Sequence, residues 1–122
     1  MTVSGNQKRK MRSAARLYAV QALFQMEQSA QTVDQVKVEF MDHRFGAIYE
    51  GNEMAEGDPS HFACVMDVAV NYQAQIDQMT DRALVAKWPI ARIDPTLRAV
   101  FRAAGAEFWD NGTPPKVVIN EY

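Results

Sequence analysis

Lys8, Arg9, Lys10, Arg12 and Arg16 place five cations within nine residues, and no acid precedes Glu27. On a helix turning 100° per residue, Arg9, Arg12 and Arg16 fall within about 60° of one another. Like charges stacked this way repel by about a few tenths of a kcal/mol per pair. Cations at a helix N-terminus also oppose the macrodipole. Local helix stability therefore did not select this ridge, whereas an anion that neutralises it would. Arginine forks pair bidentately with phosphate and stack on bases, and basic segments of this kind are often loose when free and order on RNA. From composition alone three readings stand: a nucleic-acid handle, a solvated tail, or a dock for an acidic protein. The first predicts affinity that falls steeply with salt, through counterion release.

Other groupings carry less chemistry. His61, Cys64 and Asp67 recur at i, i+3, i+6, but a closed zinc site needs four ligands, and no second Cys or His pair accompanies them. Ser29 and Ser60 have no evident base, and His43 and His61 are the only histidines, too few to assemble a triad. Gly46, Gly51 and Gly57 lack the spacing and the Lys-Ser/Thr of a phosphate loop. Asp77 and Asp81 share a helical face and read as solvated. Binding without catalysis, metal or cofactor is the expectation.

The chain has 122 residues, enough for one domain with one core, and is 48% hydrophobic and 23% charged, a globular balance. Its net charge of −2 hides an asymmetry, because the eight cations after residue 16 face all fifteen acids. A mostly acidic body excludes a generally sticky polycation and makes the basic end a directed feature. A single cysteine, Cys64, excludes an internal disulfide and suits a reducing compartment. No apolar run reaches the ~20 residues of a membrane span, and no apolar stretch follows the basic start as in a secretory signal. A cytoplasmic protein is expected.

The elements that must carry the ridge read as helices almost throughout, so the expected fold is all-α, a compact bundle of five or six helices. Residues 1–8 read as a flexible arm and 9–28 as a helix without Pro or Gly. Leu17, Tyr18, Val20, Ala22, Leu23, Phe24 and Met26 surround its axis, which predicts burial on most sides. Val33, Val36 and Phe40 predict a helix over 33–43. Residues 44–60 read as a long acidic loop. Asp58-Pro59 caps a helix that buries Phe62, Val65, Met66, Ala69, Ile76 and Met79, continues or restarts near Thr80-Asp81 and ends at Trp88-Pro89, with Trp88 either anchoring the core or at a partner interface. Asp94-Pro95 caps another, with Leu97, Val100, Phe101, Ala104 and Phe108 at helical spacing, closed by Asn111-Gly112. Thr113-Pro114 then starts a helix that stops within two turns.

Two stretches carry a resemblance. RSAARLYAVQALFQME, residues 12–27, and IDPTLRAVFRAAGAEFWDNGTPPKVVINEY, residues 93–122, closely resemble the NusB family of transcription antitermination factors. The family pattern is an Arg-rich start with A-R-x-x-A-x-Q-A-L-[YF], then L-R-A-x-x-R-x-x-x-x-E-[LF] and P-x-K-V-x-I-N-E. Residues 29–87 match mainly in helical pattern. The resemblance implies a fold of two small helical bundles and a non-catalytic role. It implies binding to boxA RNA of ribosomal RNA leaders together with the ribosomal protein NusE, within an antitermination complex on RNA polymerase. Some relatives pair as homodimers that hide the RNA surface. The same fold also serves as the RNA-binding N-terminal region of ribosomal RNA cytosine methyltransferases, and a helical protein-interaction module with an incidental basic tail is the third reading.

Carried over by position, Arg12 and Arg16 fall in the Arg-rich motif, and Lys8, Arg9 and Lys10 extend it as RNA-backbone contacts. Gln21 and Phe24 fill the Gln and aromatic positions, where the resemblance implies that Phe24 lies near RNA; a base stacked there would gain ~1–3 kcal/mol, and the alternative is ordinary core. Lys116 follows the Pro-Pro start of the last helix, at an N-terminus that could receive phosphate. Arg98 and Arg102, exposed-looking and one turn apart, are candidates for RNA or NusE. Ser13 and Ala14 depart from the pattern, since many relatives are basic there. The family also continues beyond I-N-E, so a truncated domain is expected, with an exposed apolar face around Val100, Phe101, Ala104 and Phe108.

Overall fold

The structure, a computed structural model, describes residues 5–46, 48–49, 52–53, 56–83, 94–110 and 113–122. Six α-helices dominate the described residues: α1 Gly5–Gln28, α2 Val33–Glu39, α3 Pro59–Asn71, α4 Gln73–Ala83, α5 Pro95–Asp110 and α6 Pro115–Glu121. The all-α expectation holds, with one addition inside the acidic loop. There β1 (Ile48–Tyr49) pairs antiparallel with β2 (Asn52–Glu53). Among the described residues no helix is long and apolar enough to cross a membrane. Trp88-Pro89 and Asn111-Gly112 lie outside the described residues.

Residues 5–8 of the expected arm are helical and belong to α1, and residues 1–4 of it lie outside the described residues. No breaker separates Asn6 from Gln28, and extending a nucleated helix costs little per residue. Burial is one-sided, contrary to the all-round apolar reading. Ala15, Tyr18, Ala19, Ala22 and Leu23 face the core, whereas Leu17 is 59% exposed and Phe24 38%. α5 packs most extensively against α1, and α3 lies against both. The seam is built from small residues. Ala15, Ala19 and Ala22 of α1 and Ala99, Ala103 and Ala106 of α5 are all buried, each set at i, i+4, i+7. Alanines let two helices approach closely along their ridges. The larger residues of the expected α5 stripe consequently turn outward, with Leu97 and Phe108 exposed.

α2 is short and depends on its cap. The Thr32 hydroxyl accepts from the Gln35 amide at 3.2 Å, and the Gln35 side chain accepts from the Thr32 amide at 2.9 Å. Thr32→Ala should cost about 1 kcal/mol, read as a lower midpoint in urea at unchanged slope. A π-helical turn, Phe40–Arg44, follows, and Gly46 leaves it at φ 68°, where a side chain would be strained. The turn delivers Phe40 and Phe45 to an aromatic cluster. Tyr18 stacks on Phe45 at 4.7 Å, and Phe62 meets Phe45 at 5.2 Å and Phe40 at 5.8 Å.

Asp58 caps α3 by accepting from the His61 amide, and its own amide donates to the Met11 carbonyl at 3.0 Å, tying the end of the loop to α1. The helix continues through Thr80-Asp81 and breaks instead at Tyr72, whose φ of −118° kinks the chain between α3 and α4. Hydrogen bonds from Tyr72 to Val68 and from Ile76 to Tyr72 bridge the kink. The kink keeps Ile76 in the core but leaves Met79 38% exposed. Met79, Phe101, Ala104 and Phe108 line an open apolar groove of about 240 Å³ between α4 and α5. Beside it, Tyr72 and Trp109 meet at 5.4 Å, both partly exposed.

Gly105 sets how closely α4 and α5 approach. A Cβ there would lie 2.4 Å from Cγ2 of the fully buried, β-branched Ile76. Gly105→Ala should therefore destabilise the fold by about 1–3 kcal/mol through overpacking, against the ~1 kcal/mol that alanine normally gains in a helix. Thermal unfolding gives the sign.

Candidate nucleic-acid interface

The ridge on α1 is graded. Residues 5–10 are all exposed, including Lys8, Arg9 and Lys10. Arg12 has a side chain 58% exposed and only a loose pairing, 3.7 Å to Asp58. Arg16, two turns further into the bundle than Arg9, is 5% exposed. A groove of about 330 Å³ runs beside the ridge, lined by Arg9, Arg12 and Arg16 on one wall and by Thr113, Pro114, Val117 and Glu121 on the other.

Arg16 is occupied internally. Its Nε donates to Glu107 Oε2 at 2.8 Å and its Nη2 to Oε1 at 3.2 Å, a bidentate pair. Nη1 lies 3.5 Å from Glu121, which also accepts from the Ser13 hydroxyl at 2.8 and 3.0 Å. Glu107 collects more partners still. Tyr122 donates its hydroxyl at 2.5 Å and Thr113 at 2.8 Å. His61 Nε2 stands 3.0 Å from Oε1. Burial alone would raise the Glu107 carboxyl, yet His61 beside it, then Arg16, Tyr122 and Thr113, hold it well below the ordinary carboxylate range. Burial and the bond to Glu107 push the Tyr122 phenol well above its usual value. The Arg16 guanidinium is raised by Glu107 despite its desolvation.

Among the sequence-derived site residues, Arg16 thus sits inside the protein. Arg98 and Arg102 are likewise mostly covered, not exposed, with side chains 13% and 14% accessible. Both bind Glu27, Arg98 through Nε at 2.8 Å and through Nη2, and Arg102 through Nη1 at 3.1 Å. Arg102 also forks onto Asp77 at 3.0 and 3.1 Å, so Asp77 is an ion-pair partner instead of a solvated acid. Desolvated on one side and paired on the other, these arginines tie α5 to α1 and α4.

Gln21 and Phe24 are exposed about three turns beyond Arg12, on a cleft of about 530 Å³ shared with Val20, Gln25, Gln28, Arg44 and Thr96. Arg44 lies 4.9 Å from the Phe40 ring centre and donates to Gln25. At 1.5 Å per residue, Arg12 and Phe24 stand roughly 18 Å apart along α1, so one ligand touching both would be an extended strand. Lys116 is exposed on α6, beside groove residue Val117. The phosphate site expected at that helix start is poor. Pro114 and Pro115 have no amide hydrogen, the Val117 amide returns to the Pro114 carbonyl, and the Thr113 hydroxyl serves Glu107 instead of the cap.

Among the described residues no group of His, Cys, Asp or Glu could hold a metal ion. Asp67 instead receives the Lys37 ammonium at 2.8 Å, and Cys64 is exposed.

The NusB family model matches residues 13–122. The chain belongs to the NusB family. It is 46% identical over 112 residues to the transcription antitermination protein NusB of Caulobacter vibrioides, covering 91% of this chain and 75% of that protein. It is 39% identical over 123 residues to the protein of the same name from Granulibacter bethesdensis, covering 96% and 76%. The counterpart in Maricaulis maris is 42% identical over 114 residues, covering 93% and 71%. No solved structure matches the chain. The residues of the basic ridge and of the two motif stretches divide into two kinds here. Lys8, Arg9, Lys10, Arg12, Gln21 and Phe24 face solvent, whereas Arg16, Arg98, Arg102 and Glu107 are spent on internal ion pairs. Sequence reasoning missed Glu107 and Glu121. The available signal was Glu107 itself, a carboxylate at i+4 and i+8 from the buried positions Ala103 and Ala99.

Proposed function

We propose that this NusB-family protein acts in transcription antitermination by binding single-stranded RNA, without catalysing a reaction. One observation carries the reading: four exposed cations, Lys8, Arg9, Lys10 and Arg12, project from one end of α1 in an otherwise acidic chain. They would bind phosphates, while Phe24 and Gln21 offer a stacking face and an amide further along the same helix. Lys116 adds an exposed cation on α6, next in sequence to groove residue Val117. By family resemblance the RNA is the boxA element of ribosomal RNA leaders, the protein partner is NusE, and the complex joins elongating RNA polymerase in the cytoplasm. Base stacking with phosphate clamping is the mode single-stranded RNA requires, because its bases are free to splay.

The test is binding to boxA RNA and to a scrambled RNA of equal composition, with and without NusE, at two salt concentrations. Preference for boxA, strengthened by NusE and weakened by salt, is expected. Equal weak binding to both RNAs would reject the sequence-specific reading, and salt-independent binding would reject the phosphate ridge.

A further inference from the structure

Arg16 has the residue type and helical position of an RNA contact, yet its surroundings are those of a structural cation. Its side chain is 6% exposed and that of Glu107 3%. All three of its nitrogens approach carboxylates, two on Glu107 and one on Glu121. A phosphate would have to displace that bidentate pair and leave Glu107 buried with its charge. The pair also has reach. Glu107 lies on α5 and takes hydrogen bonds from α1, from Thr113 before α6 and from Tyr122 after it. Glu121 on α6 is bound by Ser13 and Arg16 of α1. The two carboxylates therefore set the distance between the basic wall of the groove and the wall formed by Thr113, Pro114 and Val117.

Resting on the RNA-binding reading, we propose that Arg16 and Glu107 are positioning residues of the RNA site. Arg16 never touches RNA; it is an internal pin that holds α6 beside α1. Arg9 and Arg12 are then the arginines that meet phosphate within the groove. Positioning has a signature distinct from contact. Losing a phosphate contact lowers the slope of log K against log salt by about 0.7 for a single strand. Losing only position weakens binding and leaves that slope alone.

Two measurements test this. In the intact protein, arginine side-chain NMR during titration with boxA RNA should show Arg9 and Arg12 Hε signals shifting. Arg16 Hε should stay in place and exchange slowly with solvent. An Arg16 shift as large as that of Arg12 overturns the proposal. If none of the three moves although RNA binds, the ridge reading fails and this inference with it; if RNA does not bind, the reading beneath it fails. The second measurement compares the apolar replacement Arg16→Met with Glu107→Leu against Arg12→Gln. Buried ion pairs commonly tolerate apolar exchange in both partners together. The double variant should bind RNA three- to tenfold more weakly at the parental salt slope, and Arg12→Gln should lower the slope. A lowered slope in the folded double variant means Arg16 contacts phosphate, and unchanged affinity means the pair positions nothing. Should the double variant not fold, the NMR outcome decides.

Discussion

Replacing Lys8, Arg9, Lys10 and Arg12 together by glutamine should weaken RNA binding by more than about a hundredfold at 0.15 M salt while leaving the fold intact. The magnitude follows from counterion release. Each single-strand phosphate contact contributes a slope of about 0.7, which at that salt is roughly fourfold in affinity. Four contacts multiply to roughly two hundredfold, and the salt slope should fall by about 3 units. The effect on stability should have the opposite sign, or none. All four side chains are exposed, and among the described residues Arg12 alone has an ion-pair partner, Asp58 at 3.7 Å. Their removal relieves repulsion along the ridge and the unfavourable placement of cations at the positive end of a helix. Titrating labelled RNA at several salt concentrations, beside a thermal melt, separates the two. A variant that binds as the parent does would show that RNA lies elsewhere, with the Phe24 cleft as the remaining candidate.

How much of this could be read from residues alone depended on whether local pattern or tertiary pairing decided the outcome. Helix positions followed from local rules. Asp58-Pro59 and Asp94-Pro95 each start a helix, with the aspartate accepting a backbone amide. The buried face followed for α3, where Phe62, Val65, Met66 and Ala69 lie in the core as expected, but not for α1 or α5. In α5 the large residues suggested one stripe, but a buried alanine seam on α1 drew the alanines of α5 inward. Periodicity locates a face; it does not know that the neighbouring helix is itself small along the seam. The site followed the same division. The exposed half of the ridge was legible as charge density. The buried half was not, because an arginine bound to phosphate and one bound to Glu107 have the same spacing along α1. Only the partner, 91 residues away in sequence, distinguishes them. The exposure of Arg98 and Arg102 was misread for the same reason, with Glu27 and Asp77 supplied by other helices.

Acid should unfold this protein earlier than its surface charge would suggest, and the cause should be traceable to Glu107. Its folded carboxyl is held below the ordinary range while in the unfolded chain it titrates normally. A group depressed on folding stabilises above its unfolded value, about 4.3, and that contribution is lost as pH falls towards the folded value. Stability should therefore stay level from pH 7 to about 5.5 and then fall, by about 1.4 kcal/mol per pH unit for each proton the unfolded chain binds in excess. Glu27 adds in the same direction, lowered by its hydrogen bond from Arg98 and by Arg102. On the alkaline side the raised Tyr122 phenol works oppositely, its contribution complete below the ordinary tyrosine value and lost as pH rises through it. The groups facing Glu107 are Arg16, His61, Thr113 and Tyr122. Urea unfolding across pH 3–7 should show the steep acid limb in the parent. It should be shallower once Arg16→Met and Glu107→Leu remove the pair together. Glu107→Leu alone should be worse than either, costing about 3–5 kcal/mol at neutral pH because the Arg16 cation stays buried without its bidentate partner. An acid limb unchanged in the double variant would place the acid sensitivity on Glu27 and its arginines.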